Sequence, residues 1–557
     1  MLEGCVPYPA AFRDRYVGEG YWRRETIAQA AEAAAAAWPQ APAIVDSRAT
    51  LTYAGLIEES RRYAAVLVEN GINAGDRIVI QIPNRSEFAI LALACFRLGV
   101  VPVMALPALR RAELEYMVGL ARARALAIAP EHRGFDHAGL ARELALSCPS
   151  LKCVFSVSAA AGCIDLGASR ARSSSAGAAG PDPFDVALFL LSGGTTGLPK
   201  LIPRTHADYL YNAREAAKVC ALERGDRILL ALPIEHNFPL ACPGLVGALL
   251  CGATAVLAET TRAAELAATI EREKVTHLPC VPTLAINLLE LSESERRQLR
   301  SLRVITAGGQ RLQEPTARAL KSAFPSLSVQ QVFGMAEGLL CYTRLDDPDD
   351  VACTTQGRPM SPLDEIRIVD SEGNDVVDGQ VGELWCRGPY TIRGYFSAAD
   401  RNAEAFTADG FYRTGDLVRR APSGNLVVEG RLKDLINRGG EKISAEEVES
   451  HLMSHPTVSA AAVVAMRDPT LGERACAYVT LRAGANLSLD EVRRFLESRG
   501  LARFKWPERL EVVDAMPLTN VGKIRKTDLR RDIEARLAAE QRAADAPASP
   551  HSAHGRP

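Results

Sequence analysis

The 557-residue chain sets 65 Lys and Arg against 67 Asp and Glu, a formal net charge of −2, with 47% apolar and 24% charged residues. That balance argues against a nucleic-acid binder or a polybasic membrane protein as a whole, and the length predicts two to four domains or subdomains. The thirteen cysteines form no Cys-x-x-Cys pair and no cluster at zinc spacing, no secretory signal opens the chain, and no apolar run spans a bilayer. A soluble cytoplasmic protein with reduced thiols is therefore expected.

From about residue 20 the sequence alternates helical and strand patterns, which predicts an α/β fold. The alanine-rich run 26–38 reads as a helix stopped by Pro39, and "DRIVIQIPN" (76–84) as a buried strand. "SEFAILALACFRLGVVPV" (86–103) follows as a helix N-capped at Ser86, a glycine turn and another strand. "DRILLALPI", "GATAVLA", "VTHLPCVP" and "SLRVITAGG" are short apolar runs that end where Gly or Pro begins, and loops at such strand ends are where α/β sheets bind ligands. Residues 166–185 are small, polar and Gly/Pro-bearing, and predict an unstructured segment. Near residue 430 the texture changes, and a helix begins at Ser444 with Glu447 at capping-box spacing. About 100 residues of α+β character follow, which places the boundary at Lys433. The domains expected are 1–432, 433–540 and a disordered tail over 541–557.

Five polar motifs carry the chemistry. "LSGGTTGLPK" (191–200) offers Ser192, Gly193, Gly194, Thr195, Thr196, Gly197 and Lys200: glycines free backbone amides to approach an anion, hydroxyls add donors, and the lysine adds charge. It is not a Walker A loop, because Leu198 and Pro199 separate the last glycine from the lysine. Alone it also fits a solvated linker. In "QVFGMAEGLL" (331–340), Glu337 is a single carboxylate of the kind that holds Mg²⁺ beside phosphates, or an exposed loop glutamate. "GFYRTGDLVRR" places Asp416 where a carboxylate can accept ribose hydroxyls. "GRLKDLINRGGEKI" and "PLTNVGKIRKTDL" complete the set; by composition alone Lys523 in the last is a surface lysine.

In this order and over residues 20–535 these motifs resemble the adenylate-forming superfamily: acyl- and aryl-CoA synthetases, peptide-synthetase adenylation domains and firefly luciferase. The resemblance implies a large N-terminal adenylate-forming domain of α/β subdomains and a small, mobile α+β C-terminal domain. It also implies ATP as substrate with Mg²⁺ on Glu337, and the glycine loop on the β- and γ-phosphates. The ribose would lie on Asp416 and Arg431, and the adenine along the Gly309 and Phe333–Gly334 segments. Lys523 would lie between the substrate carboxylate and the α-phosphate, and Lys433 at the hinge.

"PIEHNFPLACPG" (233–244) could be a satisfied core His–Asn pair. It resembles more closely the stand-alone aryl-acid ligases of siderophore assembly. That resemblance adds His236 to the catalytic set and puts Asn237 on the ortho-hydroxyl of the acid, with Phe238, Gly308 and Leu340 around the ring. Dihydroxybenzoate ligases carry a serine where this chain has Cys242, so salicylate is the expected acid, with a substituted salicylate or 2,3-dihydroxybenzoate as the alternatives. After Lys523 no folded segment bears a phosphopantetheine serine. The expected acceptor is a separate aryl carrier protein, with CoA as the rival.

Overall fold

A computed structural model describes residues 1–168, 180–192, 199–438, 441–468, 470–519 and 522–545. Most of the polar segment 166–185, the loop residues Gly193 to Gly197 and the last part of the tail lie outside them. The chain forms two compact units, Met1–Val428 with Asn520–Lys523, and Glu429–Thr519 with Ile524–Pro557.

Among the described residues the large unit is built on two mainly parallel sheets and an antiparallel one. The first runs, strand by strand, Leu201–Thr205, Val186–Leu191, Val101–Met104, Arg77–Gln81, Ala125–Ile128, Cys153–Ser156 and Ile164–Asp165. The second runs Arg358–Pro359, Leu340–Tyr342, Ser328–Gly334, Val304–Gly308, His277–Cys280, Arg227–Leu230, Thr254–Leu257, Pro42–Val45 and Thr50–Thr52. Its six central strands, from Ser328–Gly334 to Pro42–Val45, are parallel. Covered on both faces, most of them read as short apolar runs rather than alternating ones, with Ser328–Gly334, which buries Gln330 and Gln331, as the exception. One core joins Ile78 and Ile80 of the first sheet to Ile228 and Leu230 of the second, with helices Ile27–Ala37, Tyr53–Glu69 and Ser86–Leu98 packed into it.

Thr26 caps the first of these helices in a full capping box with Gln29. Ser86, expected as a cap, is instead the first helical residue, and its N–H donates to Asp46 Oδ2 at 2.9 Å. Asp46, forty residues earlier, does the work a local cap would do.

An N-terminal strap crosses the large unit. Trp22 Nε1 donates to the Pro389 carbonyl (2.9 Å), Ser397 N–H donates to the Gly4 carbonyl (2.9 Å), and the Arg393 guanidinium lies 4.5 Å from the Phe12 ring centroid.

The small unit pairs Glu441–Ser444, Leu435–Arg438, Gly472–Leu481 and Val458–Asp468 antiparallel, with Arg509–Val512 parallel to Gly472–Leu481. Ile436, Val448, Val463, Val479 and Leu496 fill its core beneath helices Ala445–Met453 and Leu489–Ser498. Ser444 Oγ accepts the Glu447 N–H as expected, but the Glu447 carboxylate pairs with Lys505 at 2.7 Å instead of closing the box.

Candidate active site

Parallel strands deliver their C-terminal ends to one side of the second sheet, and the predicted acid-binding residues follow those ends. After Arg227–Leu230, Asn84 pins the chain: its amide donates to the Leu230 and Leu232 carbonyls and accepts the Ile234 N–H at 3.0 Å. The pinned loop leads to His236, the N-cap of the short helix Asn237–Ala241, whose Nδ1 accepts the Phe238 N–H at 3.2 Å. Burial, reinforced by the nearby Lys523 cation, pushes the His236 pKa down to about 3. The imidazole is therefore neutral with its proton on Nε2, a donor for a carboxylate oxygen.

Tyr209 donates its hydroxyl to Asn237 Oδ1 at 3.0 Å, and Asn237 Nδ2 donates to Cys242 Sγ at 3.4 Å. The oxygen end of the amide is thus occupied, which leaves one Nδ2 hydrogen for a ligand. The Cys242 thiol donates to the Asn237 carbonyl at 3.4 Å, and Asn212 Nδ2 reaches its sulfur at 3.9 Å. Burial pushes this thiol up to about 12, so it is neutral and its weak hydrogen-bonding capacity is spent inside the protein. A Cβ on Gly308 would stand 2.4 Å from Val332 Cγ1 and 3.3 Å from Phe238 Cζ, so only glycine leaves a slot there. Gly334 is equally close to Leu340, whose N–H donates to the Tyr390 hydroxyl at 3.2 Å.

Lys523 is brought to the same place. It belongs to the large unit; Thr283 donates to the Gly522 carbonyl at 3.0 Å, and Lys523 Cε lies 3.0 Å from where a Gly309 side chain would begin. Gly309 has φ +85°, so a side chain there is strained as well as crowded.

The phosphate side is organised from the hairpin Val186–Leu191 and Leu201–Thr205. Ser192 N–H donates to the Lys200 carbonyl, and Ser192 Oγ accepts the Lys200 N–H, both at 3.0 Å. These two bonds pinch the neck of the predicted loop, while Gly193, Gly194, Thr195, Thr196 and Gly197 lie outside the described residues.

Glu337 sits in the turn joining Ser328–Gly334 to Leu340–Tyr342. It is buried, its Oε1 accepts the Tyr395 hydroxyl at 2.8 Å, and Lys200 Nζ lies 4.1 Å from the Tyr395 ring centroid. The adjoining Ala336 carbonyl accepts Arg204 Nη1 at 3.1 Å, and Arg204, fully buried, is paired with Asp208 at 2.7 Å. No group of three metal-ligating side chains occurs among the described residues. A lone hard-oxygen ligand fits Mg²⁺, which keeps most of its waters and takes its other ligands from phosphate.

Asp416 is buried on Tyr412–Arg420 just after Gly415, whose φ of +69° coincides with an irregular register against Gly382–Arg387. Phe333 is half-buried at the end of Ser328–Gly334. Arg431 and Lys433 belong to the small unit, Lys433 in the turn Leu432–Asp434. Sequence reading missed Tyr395, Tyr209, Asn212, Asn84 and Arg204. Of these only Tyr395, in "RGYF" beside a glycine, stands in a context that could have drawn notice.

Comparison with known proteins gives the same outline. A family model described as AMP-binding enzyme matches residues 31–396, and one described as AMP-binding enzyme C-terminal domain matches 447–523. A salicylyl-CoA synthase / salicylate adenylyltransferase of a Streptomyces species is 48% identical over 95% of this chain and 97% of its own. The 2,3-dihydroxybenzoate-AMP ligase of Bacillus subtilis is 44% identical over 97% and 99%. The salicyl-AMP ligase / salicyl-S-ArCP synthetase of Mycobacterium tuberculosis is 44% identical over 96% and 95%.

Proposed function

The chain belongs to the AMP-binding enzyme family, and from that premise we propose that it activates salicylate as salicyl-AMP and passes the aryl group to the thiol of a separate carrier protein. A salicylate carboxylate oxygen attacks the α-phosphorus of ATP in line, forming the new P–O bond as pyrophosphate leaves. The Lys523 ammonium stands between the two anions, which would otherwise repel, and the neutral His236 donates from Nε2 to the carboxylate. Ser192 and Lys200, with the loop they bracket, hold the β- and γ-phosphates; Asp416 and Arg431 hold the ribose, and Gly309, Phe333 and Gly334 the adenine. Mg²⁺, held by Glu337, would supply charge neutralisation across the phosphates.

In the second half-reaction the phosphopantetheine sulfur attacks the acyl carbon and AMP departs. Lys433 is the hinge about which the small domain turns between the two steps. The Mycobacterium relative's name supports a carrier as acceptor; the Streptomyces relative's name supports CoA as the second reading. We place the enzyme in the cytoplasm: its thirteen cysteines are all unpaired, and no helix among the described residues is long and apolar enough to cross a membrane.

The observation that carries the choice of acid is the Asn237–Cys242 pair. Asn237 has one N–H left for the ortho-oxygen, while the Cys242 thiol is already engaged with Asn237 and Asn212. A 3-hydroxyl beside it would be buried without a good partner, at a cost of roughly 1–3 kcal/mol, or about tenfold to a hundredfold in specificity.

Lys523→Ala tests the division of labour. It is expected to abolish salicylate-dependent ATP/pyrophosphate exchange while sparing thioester formation from presynthesised salicyl-AMP and a phosphopantetheinylated carrier. Equal loss of both activities would contradict it.

A further inference from the structure

Tyr395 joins two groups that the proposed function uses separately. Its hydroxyl donates to Glu337 Oε1 at 2.8 Å, so its oxygen is left as an acceptor, and Tyr412, 3.0 Å away, must be the donor to it. The result is a one-way chain of hydrogen bonds, Tyr412 to Tyr395 to Glu337, through three buried side chains. On the face of the same ring stands the Lys200 ammonium, 4.1 Å from the centroid. Burial lowers the Lys200 pKa, and the Glu337 carboxylate opposes that shift.

The backbone beneath is fixed at several points. Tyr395 N–H donates to Asn402 Oδ1 (2.8 Å), Asn402 Nδ2 returns a bond to the Tyr395 carbonyl (3.0 Å), and Ile392 N–H donates to the Glu337 carbonyl (2.8 Å). Among the described residues Tyr395 supplies the hydrogen bond to the Glu337 carboxylate, and Oε1 is the oxygen it occupies.

We propose that Tyr395 is the positioning residue of the phosphate site: its hydroxyl holds Glu337 Oε1 and leaves Oε2 as the oxygen that would take the metal, and its ring holds the Lys200 ammonium. The inference rests on the reading of Glu337 as the Mg²⁺ ligand. Without the hydroxyl the carboxylate is free to rotate, and a metal must pay to order it.

The test is Mn²⁺ binding in the presence of α,β-methylene-ATP, followed by electron paramagnetic resonance on the full-length protein, with calorimetry for the nucleotide. Tyr395→Phe keeps the ring under Lys200 and removes only the hydroxyl. It is expected to weaken Mn²⁺ binding about tenfold, the scale of one hydrogen bond to a charged group, with Tm nearly unchanged. Tyr395→Leu should in addition weaken nucleotide binding about two- to fivefold through the lost cation–π contact. Tyr412→Phe, which removes the donor to Tyr395, should shift Mn²⁺ affinity in the same direction by less.

Glu337→Gln separates the two ideas. If it weakens Mn²⁺ binding while Tyr395→Phe and Tyr412→Phe leave it at the wild-type value, the role of Tyr395 is overturned and the metal reading stands. If Glu337→Gln itself leaves Mn²⁺ affinity unchanged, both are overturned.

Discussion

Asn237 owes its orientation to Tyr209, a side chain on the helix His206–Val219, and the Cys242 thiol is engaged from the same helix by Asn212. In the proposed pocket, specificity would thus be set by side chains that touch the acid's partners as much as by those that touch the acid. Two residues before Asn237 stands a buried carboxyl group. Glu235 is buried with neither carboxylate oxygen hydrogen-bonded, and burial raises its pKa well above the usual carboxylate range. Its protonated form is favoured in the folded state, so its contribution is fully present below the ordinary carboxyl value of 4.5. As pH rises past that value the unfolded chain releases the proton while the folded protein keeps it, and stability declines. Glu235→Leu is therefore expected to flatten the fall of Tm between about pH 5 and pH 8 and to raise Tm most at the alkaline end. Melting curves across that range check it, and an unchanged slope would contradict it. In the sequence His236, Asn237, Cys242, Glu337 and Lys523 are visible because each sits in a contiguous motif. Tyr209 and Asn84 are not, because their partners are brought near only by the fold, and Tyr395 is marked only by its place in "RGYF".

At the scale of elements, the strand Val304–Gly308 ends where the ring of the acid is proposed to lie, and Gly308 leaves that end open between Val332 and Phe238. Gly308→Ala would place a methyl 2.4 Å from Val332 Cγ1, a β-branched side chain with little room to turn, and 3.3 Å from Phe238 Cζ. Stability should fall by roughly 1–3 kcal/mol, and the KM for the aryl acid should rise while the KM for ATP stays put. Steady-state kinetics with each substrate varied in turn would detect the split; an unchanged acid KM would remove Gly308 from the pocket. Strands were legible because apolar runs ending in Gly or Pro have few other readings. Of the caps read from the sequence, Ser444 takes the Glu447 N–H as expected, whereas the Glu447 carboxylate and the Ser86 N–H find their partners at Lys505 and Asp46.

At the scale of the whole molecule, the chain divides into a large unit that carries the residues proposed for the acid and the phosphates and a small unit that carries Arg431 and Lys433. The two units divide between Val428 and Glu429, and the proposed hinge at Lys433 lies in the turn just beyond. The change of texture near residue 430 made the small unit legible. Sequence alone could not reveal that Gly522 and Lys523 pack with the large unit, since that depends on contacts such as Thr283 with Gly522.

The central claim is that this scaffold adenylates salicylate, and ATP/pyrophosphate exchange with purified protein tests it most directly, using salicylate, 2,3-dihydroxybenzoate, benzoate and acetate, with Cys242→Ser alongside. The account predicts exchange driven best by salicylate, weaker for dihydroxybenzoate by about tenfold to a hundredfold, with the gap narrowed in Cys242→Ser. Exchange driven best by dihydroxybenzoate in the wild type would contradict the role given to Cys242, and no exchange with any aryl acid would contradict the reading of the pocket itself.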